Sequence, residues 1–335
     1  MDAKAQKAVV QTRNAPLSSR LPLSISVEVP IPKLSSPHDI LVRVLAAAGN
    51  PTDFKMVTHF FMEDNVIGCD FCGIIEKAGP KALFPVGTRV CGSDFPYRAN
   101  RENPQNGAFT EWIVVDSRGK IRVPETWTNA QAAALGGIGW GAAVLALSDP
   151  GALNLSGRPS NPVRSTTPIL VLIYGAGTAT GSMAVQLLTL CIQDIKELAK
   201  GIPIKHALDC ITDEVSSFTC FSVLSRVGAR YACLEKLPDQ WRVRKAVSVK
   251  VVMQYEMLGY DVDLDDATYT RKANAEMKDI GIAWGEEMQM LVDKALIVTP
   301  LVREMGGGLE SLLEVVELMR RGQTDGKKLV ANISS

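Results

Sequence analysis

Histidine is nearly missing from this 335-residue chain, which holds only His38, His59 and His206. A structural zinc needs four closely placed ligands, and so few imidazoles leave little to build one from. An excess of either charge is missing as well, since Lys+Arg and Asp+Glu stand at 36 each. That balance gives no field for attracting nucleic acid or an anionic membrane surface. No apolar run approaches the roughly 18 residues of a membrane span. The opening Met1-Asp-Ala-Lys-Ala-Gln-Lys7 has no apolar core of the signal-peptide kind. Cysteine comes in an odd number, seven, scattered along the chain. That fits free thiols in a reducing compartment better than a disulfide framework. The expectation is a soluble, cytoplasmic protein with room for two domains. Its 46% apolar and 21% charged residues are those of an ordinary globular chain.

What is present centres on Pro168-Ile-Leu-Val-Leu-Ile-Tyr-Gly-Ala-Gly-Thr-Ala-Thr-Gly181. The apolar run 169–174 predicts a strand buried on both faces. Gly175-Ala-Gly177 predicts a turn whose backbone can approach a pyrophosphate. Gly181 then opens a helix whose N–H groups and dipole favour that anion. The spacing is G-x-G-x-x-x-G, with the third glycine one place late, and short glycine turns also occur in α/β folds that bind nothing. A complete dinucleotide unit needs a second strand ending in an acid or a phosphate-binding residue about 20 residues on. Here the helical pattern continues over 182–198 with no such strand. Asp209 follows Gly181 by 28 residues, long for a ribose-binding acid, so a structural role is the favoured reading.

Ahead of that turn the chain is rich in short strands, with candidates at 40–48, 68–79, 85–92 and 107–115. Few helices and many glycines there predict a partly closed, β-barrel-like domain. In Gly49-Asn-Pro-Thr-Asp-Phe-Lys55, Thr52, Asp53 and Lys55 either meet a phosphate, nicotinamide or carbonyl, or form a plain turn with solvated charges. Pattern alone favours the plain turn. Cys69 and Cys72 point to opposite faces of a strand, which suits buried free thiols better than a metal or redox pair. Thr128-Asn129 caps a helix over 130–135, which 136–141 interrupts and 142–147 resumes. The stretch 148–167 carries Pro150, Pro159 and Pro162 and reads as a surface insertion. Strands follow at 206–211 and 228–234, an amphipathic helix at 309–320 and a last strand at 326–333.

Taken in order, Val86-Gly-Thr-Arg-Val90, Gly107-Ala-Phe-Thr-Glu-Trp112, Gln131-Ala-Ala-Ala-Leu135, the glycine turn and Asp209-Cys-Ile211 resemble the medium-chain dehydrogenase/reductase superfamily. Within it, Asn50-Pro-Thr-Asp53, Tyr174 to Gly181, Ala207-Leu-Asp-Cys-Ile-Thr212 and Gly326-Lys-Lys-Leu-Val330 resemble the fungal trans-acting enoyl reductases. Those enzymes serve polyketide synthases and polyketide synthase–nonribosomal peptide synthetase hybrids in secondary metabolism. The resemblance covers nearly the whole chain. Gly68-Cys-Asp70 stands where zinc-dependent relatives carry Gly-His-Glu, and their four-cysteine lobe is missing, so the zinc-independent branch and no metal are implied.

The resemblance implies an α/β fold with a GroES-like β-barrel-type domain over 1–163, completed by 300–335. A Rossmann-type parallel sheet domain over 164–299 would bind NADPH. The implied reaction sends hydride from NADPH to the β-carbon of an α,β-unsaturated acyl thioester on the partner's acyl carrier. The enolate is then protonated at the α-carbon, and stabilising its oxygen lowers the barrier most. By motif match Pro51, Thr52, Asp53 and Phe54 approach the nicotinamide end, and Gly177, Thr178, Ala179 and Thr180 the pyrophosphate. Leu234, Glu235, Thr324 and Asp325 complete the cofactor cleft. Trp140, Gly141, Ala142, Ala143, Val144, Leu145, Ala146 and Leu147, with Gln254, Tyr255, Glu256, Met257 and Leu258, line the acyl channel. No His or Tyr is marked as proton donor, and Lys55 is named as the catalytic candidate.

The departure from the family lies between Cys191 and Ile192, where about 30 residues forming a strand, a helix and a strand are expected. They would carry the turn and the Tyr that hold the adenosine 2′-phosphate. Two accounts stand, a splicing or gene-reading artefact and a truly shortened sheet, and the second predicts weak NADPH binding or poor folding. A monomer acting on a synthase is the leading expectation. A stand-alone NADPH quinone or enone reductase and a non-catalytic remnant docked on the synthase are the alternatives.

Overall fold

The computed structural model describes residues 5–16, 20–98, 103–163, 169–191 and 202–333. The antiparallel pair β1 (Ala5–Gln11) and β2 (Leu23–Pro30) opens the chain. β3 (Asp39–Ala48) is ten residues long and organises the larger sheet. After it come α1 (Pro51–His59), β4 (Asp70–Ala78), β5 (Arg89–Ser93), β6 (Trp112–Asp116) and β7 (Ile121–Arg122). Beyond lie α2 (Asn129–Leu135), α3 (Ile138–Ser148), β8 (Val171–Tyr174), α4 (Ala179–Cys191), β9 (His206–Asp209) and α5 (Glu214–Val223). The chain ends with β10 (Arg230–Cys233), β11 (Ser248–Val251), α6 (Ala275–Asp293), β12 (Val302–Glu304), α7 (Glu310–Arg320) and β13 (Lys328–Asn332).

The larger sheet runs β12-β13-β3-β4-β5-β7, with β6 also paired to β3. One edge of β3 is taken by β4. The other is shared between β6 at Asp39–Arg43 and the C-terminal β13 at Ala46–Ala48. Register shifts between Leu41 and Val42 and between Val44 and Ala46 let this strand bend. Val42, Val44, Ile75, Phe71 and Ile113 fill the space inside, against Leu312, Val315 and Val316 of α7. The predicted strand at 107–115 forms only from Trp112 onward, while the segment expected as a turn after β3 is the two-turn helix α1. Pro51 sits in its first turn, where a missing N–H is harmless.

The second sheet is wholly parallel, in the order β11-β10-β9-β8. β8 is therefore an edge strand. Its four residues are all half-buried and Ile169 is 37% exposed, so the expectation of a strand covered on both faces is corrected. Nothing among the described residues pairs beyond it. The predicted helix over 182–198 is α4 as far as Cys191, and the remainder lies outside the described residues.

Helices α2 and α3 hold the two parts together. Thr128 caps α2 by accepting the N–H of Gln131 at 3.1 Å. The expected glycine interruption at 136–141 shrinks to Gly136 and Gly137, because α3 starts at Ile138. Asn129–Ser148 is long and apolar enough by composition to cross a bilayer, correcting the expectation that no such run exists. It is a core element, with 89% of its most apolar window buried in the protein. Helix α6, which sequence pattern did not mark, packs Trp284, Met288 and Leu291 into the same core. The indole of Trp284 donates to Ser148 Oγ at 2.9 Å. The stretch expected as a surface insertion is pinned rather than free. Ala152 and Leu153 are buried, and the Ser160 N–H donates to Glu287 Oε2 at 3.0 Å; residues 164–168 lie outside the described set.

Candidate active site

The carboxyl ends of β8, β9 and β10 lie side by side, and the turns leaving them build the site. After β8, Gly175 takes φ +81°. Thr178 Oγ1 donates to the Gly175 carbonyl at 2.8 Å and accepts the Gly181 N–H at 3.0 Å. A Cβ added to Gly181 would lie 2.3 Å from the Gly175 carbonyl oxygen, so the late third glycine is what lets α4 pack onto the strand. Around Gly177 an added Cβ would meet nothing within 4 Å, which leaves that stretch of backbone open. This cradle fits a pyrophosphate, the anion a helix N-terminus favours. For the adenosine end the fit stops, because no strand among the described residues lies beside β8 on its free edge.

After β9, Asp209 is fully buried and accepts from the N–H groups of Ile211 and Thr212, both at 2.9 Å. It also accepts from Ser216 Oγ and the Tyr231 hydroxyl, both at 2.7 Å. A carboxylate with four donors is tying turns together rather than waiting for a ribose. Leu234, after β10, donates its N–H to Thr212 Oγ1 at 3.2 Å, joining the two crests.

Next to Leu234 the structure brings two of the named residues together. Lys55 Nζ, on α1, donates to Glu235 Oε1 at 2.6 Å, with both side chains about a third exposed. The Tyr269 hydroxyl donates to Glu235 Oε2 at 3.2 Å and accepts the Lys236 N–H at 3.3 Å. Burial, aided by Glu235, pushes this phenol up to about 12, so it stays protonated at neutral pH. Tyr269 sits on a loop, and no local pattern marks it.

Asp53 does something other than expected. It is 4% exposed, so the picture of solvated charges in a plain turn is corrected for this residue. Its Oδ2 accepts the Asn50 N–H at 2.7 Å, and Oδ1 is buried with no hydrogen-bond partner. Burial pushes the carboxyl up to about 7. Neighbouring Asn50 joins a deeper network. Its Nδ2 donates to Asp70 Oδ2 at 2.9 Å, and Lys328 Nζ donates to the same oxygen at 3.0 Å and to Asn50 Oδ1. Asp70 Oδ1 accepts the N–H groups of Gly137 and Ile138 at 2.8 and 3.0 Å, capping α3. At the Gly68-Cys-Asp70 position, then, an ammonium meets the acid. No group of three or more His, Cys, Asp or Glu among the described residues is placed to hold a metal. Cys69 and Cys72 are both buried free thiols.

The channel assignment divides. All of Trp140 to Leu147 is buried in α3, and Val144, Leu145 and Ala146 pack in the core with Met183, Leu187 and Trp284. Trp140 alone of the eight faces a cavity of about 240 Å³, together with Gln254, Met257 and Leu258. Gly141 is bare because Met257 Sδ would lie 2.7 Å from a Cβ there. Tyr255 turns away to stack on Phe95 at 4.3 Å, and Glu256 pairs with Arg271 at 3.3 Å and Lys250 at 3.4 Å. Thr324 lies in the turn before β13, and Asp325 is exposed and pairs with Arg303 at 3.3 Å. Lys328, rather than these two, carries the C-terminal segment into the interior.

Residues 36–125 match the alcohol dehydrogenase GroES-like domain family. Trans-enoyl reductase sthE of Phaeosphaeria nodorum is 46% identical, over 100% of this chain and 99% of its own length. Trans-enoyl reductase calK of Penicillium decumbens is 42% identical, over 99% of each. The sthE alignment runs over 366 positions against a chain of 335, so the relative has at least 31 residues with no counterpart here. Among solved structures, a zinc-dependent alcohol dehydrogenase from Rhizobium etli superposes at TM-score 0.71 with 22% identity, covering 99% of both chains. The CurK enoyl reductase superposes at 0.64 with 14% identity, covering 99% of this chain and 100% of its own. At those identities the structures speak for the fold, a GroES-like domain joined to a Rossmann-type parallel sheet, which implies a nicotinamide cofactor. Full-length similarity of this degree to sthE and calK settles membership: the chain belongs to the trans-enoyl reductases.

Proposed function

We propose that this chain reduces the α,β-double bond of an enoyl thioester carried by a partner polyketide synthase, or a synthase–peptide synthetase hybrid, using NADPH. The observation that carries the reading is the Lys55–Glu235 pair. It sets an ammonium from α1 beside the turn that leaves the carboxyl end of β10, the end of an open α/β sheet at which ligands are taken. NADPH bound there supplies the hydride that goes to the β-carbon. Gly177, Thr178, Ala179 and Thr180 would hold its pyrophosphate, and Pro51 and Thr52 at the start of α1 would face its nicotinamide end. The preference for NADPH over NADH rests on the family resemblance.

Lys55 is the group to meet the enolate oxygen and to return a proton to the α-carbon. An ammonium fixed in a partly dry cleft stabilises developing negative charge far better than water does. Glu235, itself held by Tyr269, keeps the Lys55 side chain extended toward that position. Six buried or half-buried free cysteines support a reducing, cytoplasmic setting, and action as a monomer is part of the same reading. The test is oxidation of NADPH by the purified protein with an enoyl thioester, on a pantetheine mimic and on the acyl carrier, beside free quinones and enones. Turnover of thioesters alone supports the proposal. Turnover confined to free quinones would favour a stand-alone reductase. Co-purification with a synthase without any NADPH oxidation would favour a docking remnant.

A further inference from the structure

The 240 Å³ cavity beside Trp140 is lined by side chains of two unlike kinds. Trp140, Met257 and Leu258 give it apolar surface, and Lys120 and Arg98 bring positive charge to it. Lys120 is only 5% exposed and lines the cavity, with Asp116 and Asp94 near enough to attract its ammonium but no hydrogen bond or ion pair from it to a described residue. Arg98 Nε is buried with no hydrogen-bond partner.

The acids nearby are already engaged. Asp94 accepts from Asn106 Nδ2 at 2.6 Å and the Tyr260 hydroxyl at 2.8 Å, and pairs with Arg98 at 3.5 Å. Asp116 is held by Arg118 at 2.6 Å and Lys278 at 3.7 Å. Asp39 accepts the N–H groups of Ser35 and Ser36, both at 2.8 Å. Donors therefore outnumber free acceptors around this space. Burial lowers the pKa of Lys120, against the pull of Asp116 and Asp94, as expected of an ammonium short of a direct partner. The fold also makes room for this lysine. A Cβ on Gly92 would lie 2.2 Å from Lys120 Cδ, so β5 is bare where the stem crosses it. A largely buried ammonium facing a cavity without a direct acceptor is a site that an anionic ligand group can complete.

We infer that this cavity binds a carboxylate borne on a short apolar chain, the carboxylate on Lys120 and Arg98 and the chain against Trp140 and Met257. The ligand is either a free fatty acid or the oxidised far end of a longer acyl chain, and the two share this chemistry.

The experiment is calorimetric titration of the full chain with hexanoate, with acetate and hexanol as partial ligands. Hexanoate binding that exceeds both, and that weakens about tenfold to hundredfold in Lys120→Met, supports the inference. Lys120→Arg should retain part of it. Because Met fills the space of the stem and removes the unpaired charge, Lys120→Met should melt no lower than the parent, which separates lost binding from lost folding. A parent chain that does not bind millimolar hexanoate, or a Lys120→Met variant that binds it equally well, overturns the inference. Competition between hexanoate and the thioester substrate points to the acyl-chain end. Binding without competition points to a free acid.

Discussion

Lys55 and Glu235 are 180 residues apart in the chain and 2.6 Å apart in the structure. One comes from the first helix of the barrel-like part and the other from the end of a strand in the parallel sheet, so the pair exists only when both parts are folded and docked. Tyr269 holds Glu235 from a third direction at 3.2 Å.

Lys55→Met should lower kcat for an enoyl thioester by about 10²- to 10⁴-fold, the usual weight of a positioned proton donor. Glu235→Gln and Tyr269→Phe should cost less, since they position the ammonium rather than meet the substrate. Steady-state kinetics on the three variants gives the ranking, and equal losses in all three would contradict it.

Asp53 predicts a pH-dependent stability. Its folded pKa of about 7 lies above the ordinary value of 3.8, so the folded state holds this proton more tightly than the unfolded chain. The contribution to stability is full below about pH 4 and is lost as pH rises toward 7. Asp53→Asn keeps the acceptor for the Asn50 N–H and should remove this slope, leaving the variant more stable than the parent at pH 8. Melting curves across that range decide it.

Lys328→Met should destabilise by about 3–5 kcal/mol in urea, because it strands the fully buried Asp70 without its ammonium. Adding Asp70→Asn should recover part of the loss. A near-neutral single variant would show that Gly137, Ile138 and Asn50 satisfy the carboxylate without the ammonium.

Gly181 and Gly177 should behave oppositely. Gly181→Ala forces α4 away from Gly175 and should lower stability by about 1–3 kcal/mol. Gly177→Ala meets open space, so it should fold normally and weaken NADPH binding by intruding where the pyrophosphate lies. Melting temperature and fluorescence titration read the two effects separately.

The parent chain itself should bind NADPH more weakly than low micromolar, since β8 stands at the edge of the four-stranded sheet and no strand among the described residues lies beside it to hold the adenosine end. A low-micromolar affinity in the same titration would overturn this.

Much of the framework was legible beforehand because its signals are local. An apolar run, a glycine turn and a helical period lie within about 25 residues and declare β8 and α4 by themselves. The order of such pieces pointed to the family, and a missing stretch after Cys191 was visible as a pattern that did not arrive. The strands at 40–48 and 68–79 announced themselves in the same way.

The directions in which side chains turn were not legible. Apolar residues from Trp140 to Leu147 fit a channel wall and a core helix equally well, and only the packing of α6 and α4 around α3 shows that all of them are buried while Trp140 also borders a cavity. Asp53 looks like a solvated turn residue until β4 closes over it. The sequence by itself determined which segments become strands, turns and helices, since those depend on neighbours along the chain. Tertiary structure alone decided which charges meet, because Lys55, Glu235 and Tyr269, or Asn50, Asp70 and Lys328, converge only through the docking of elements distant in sequence.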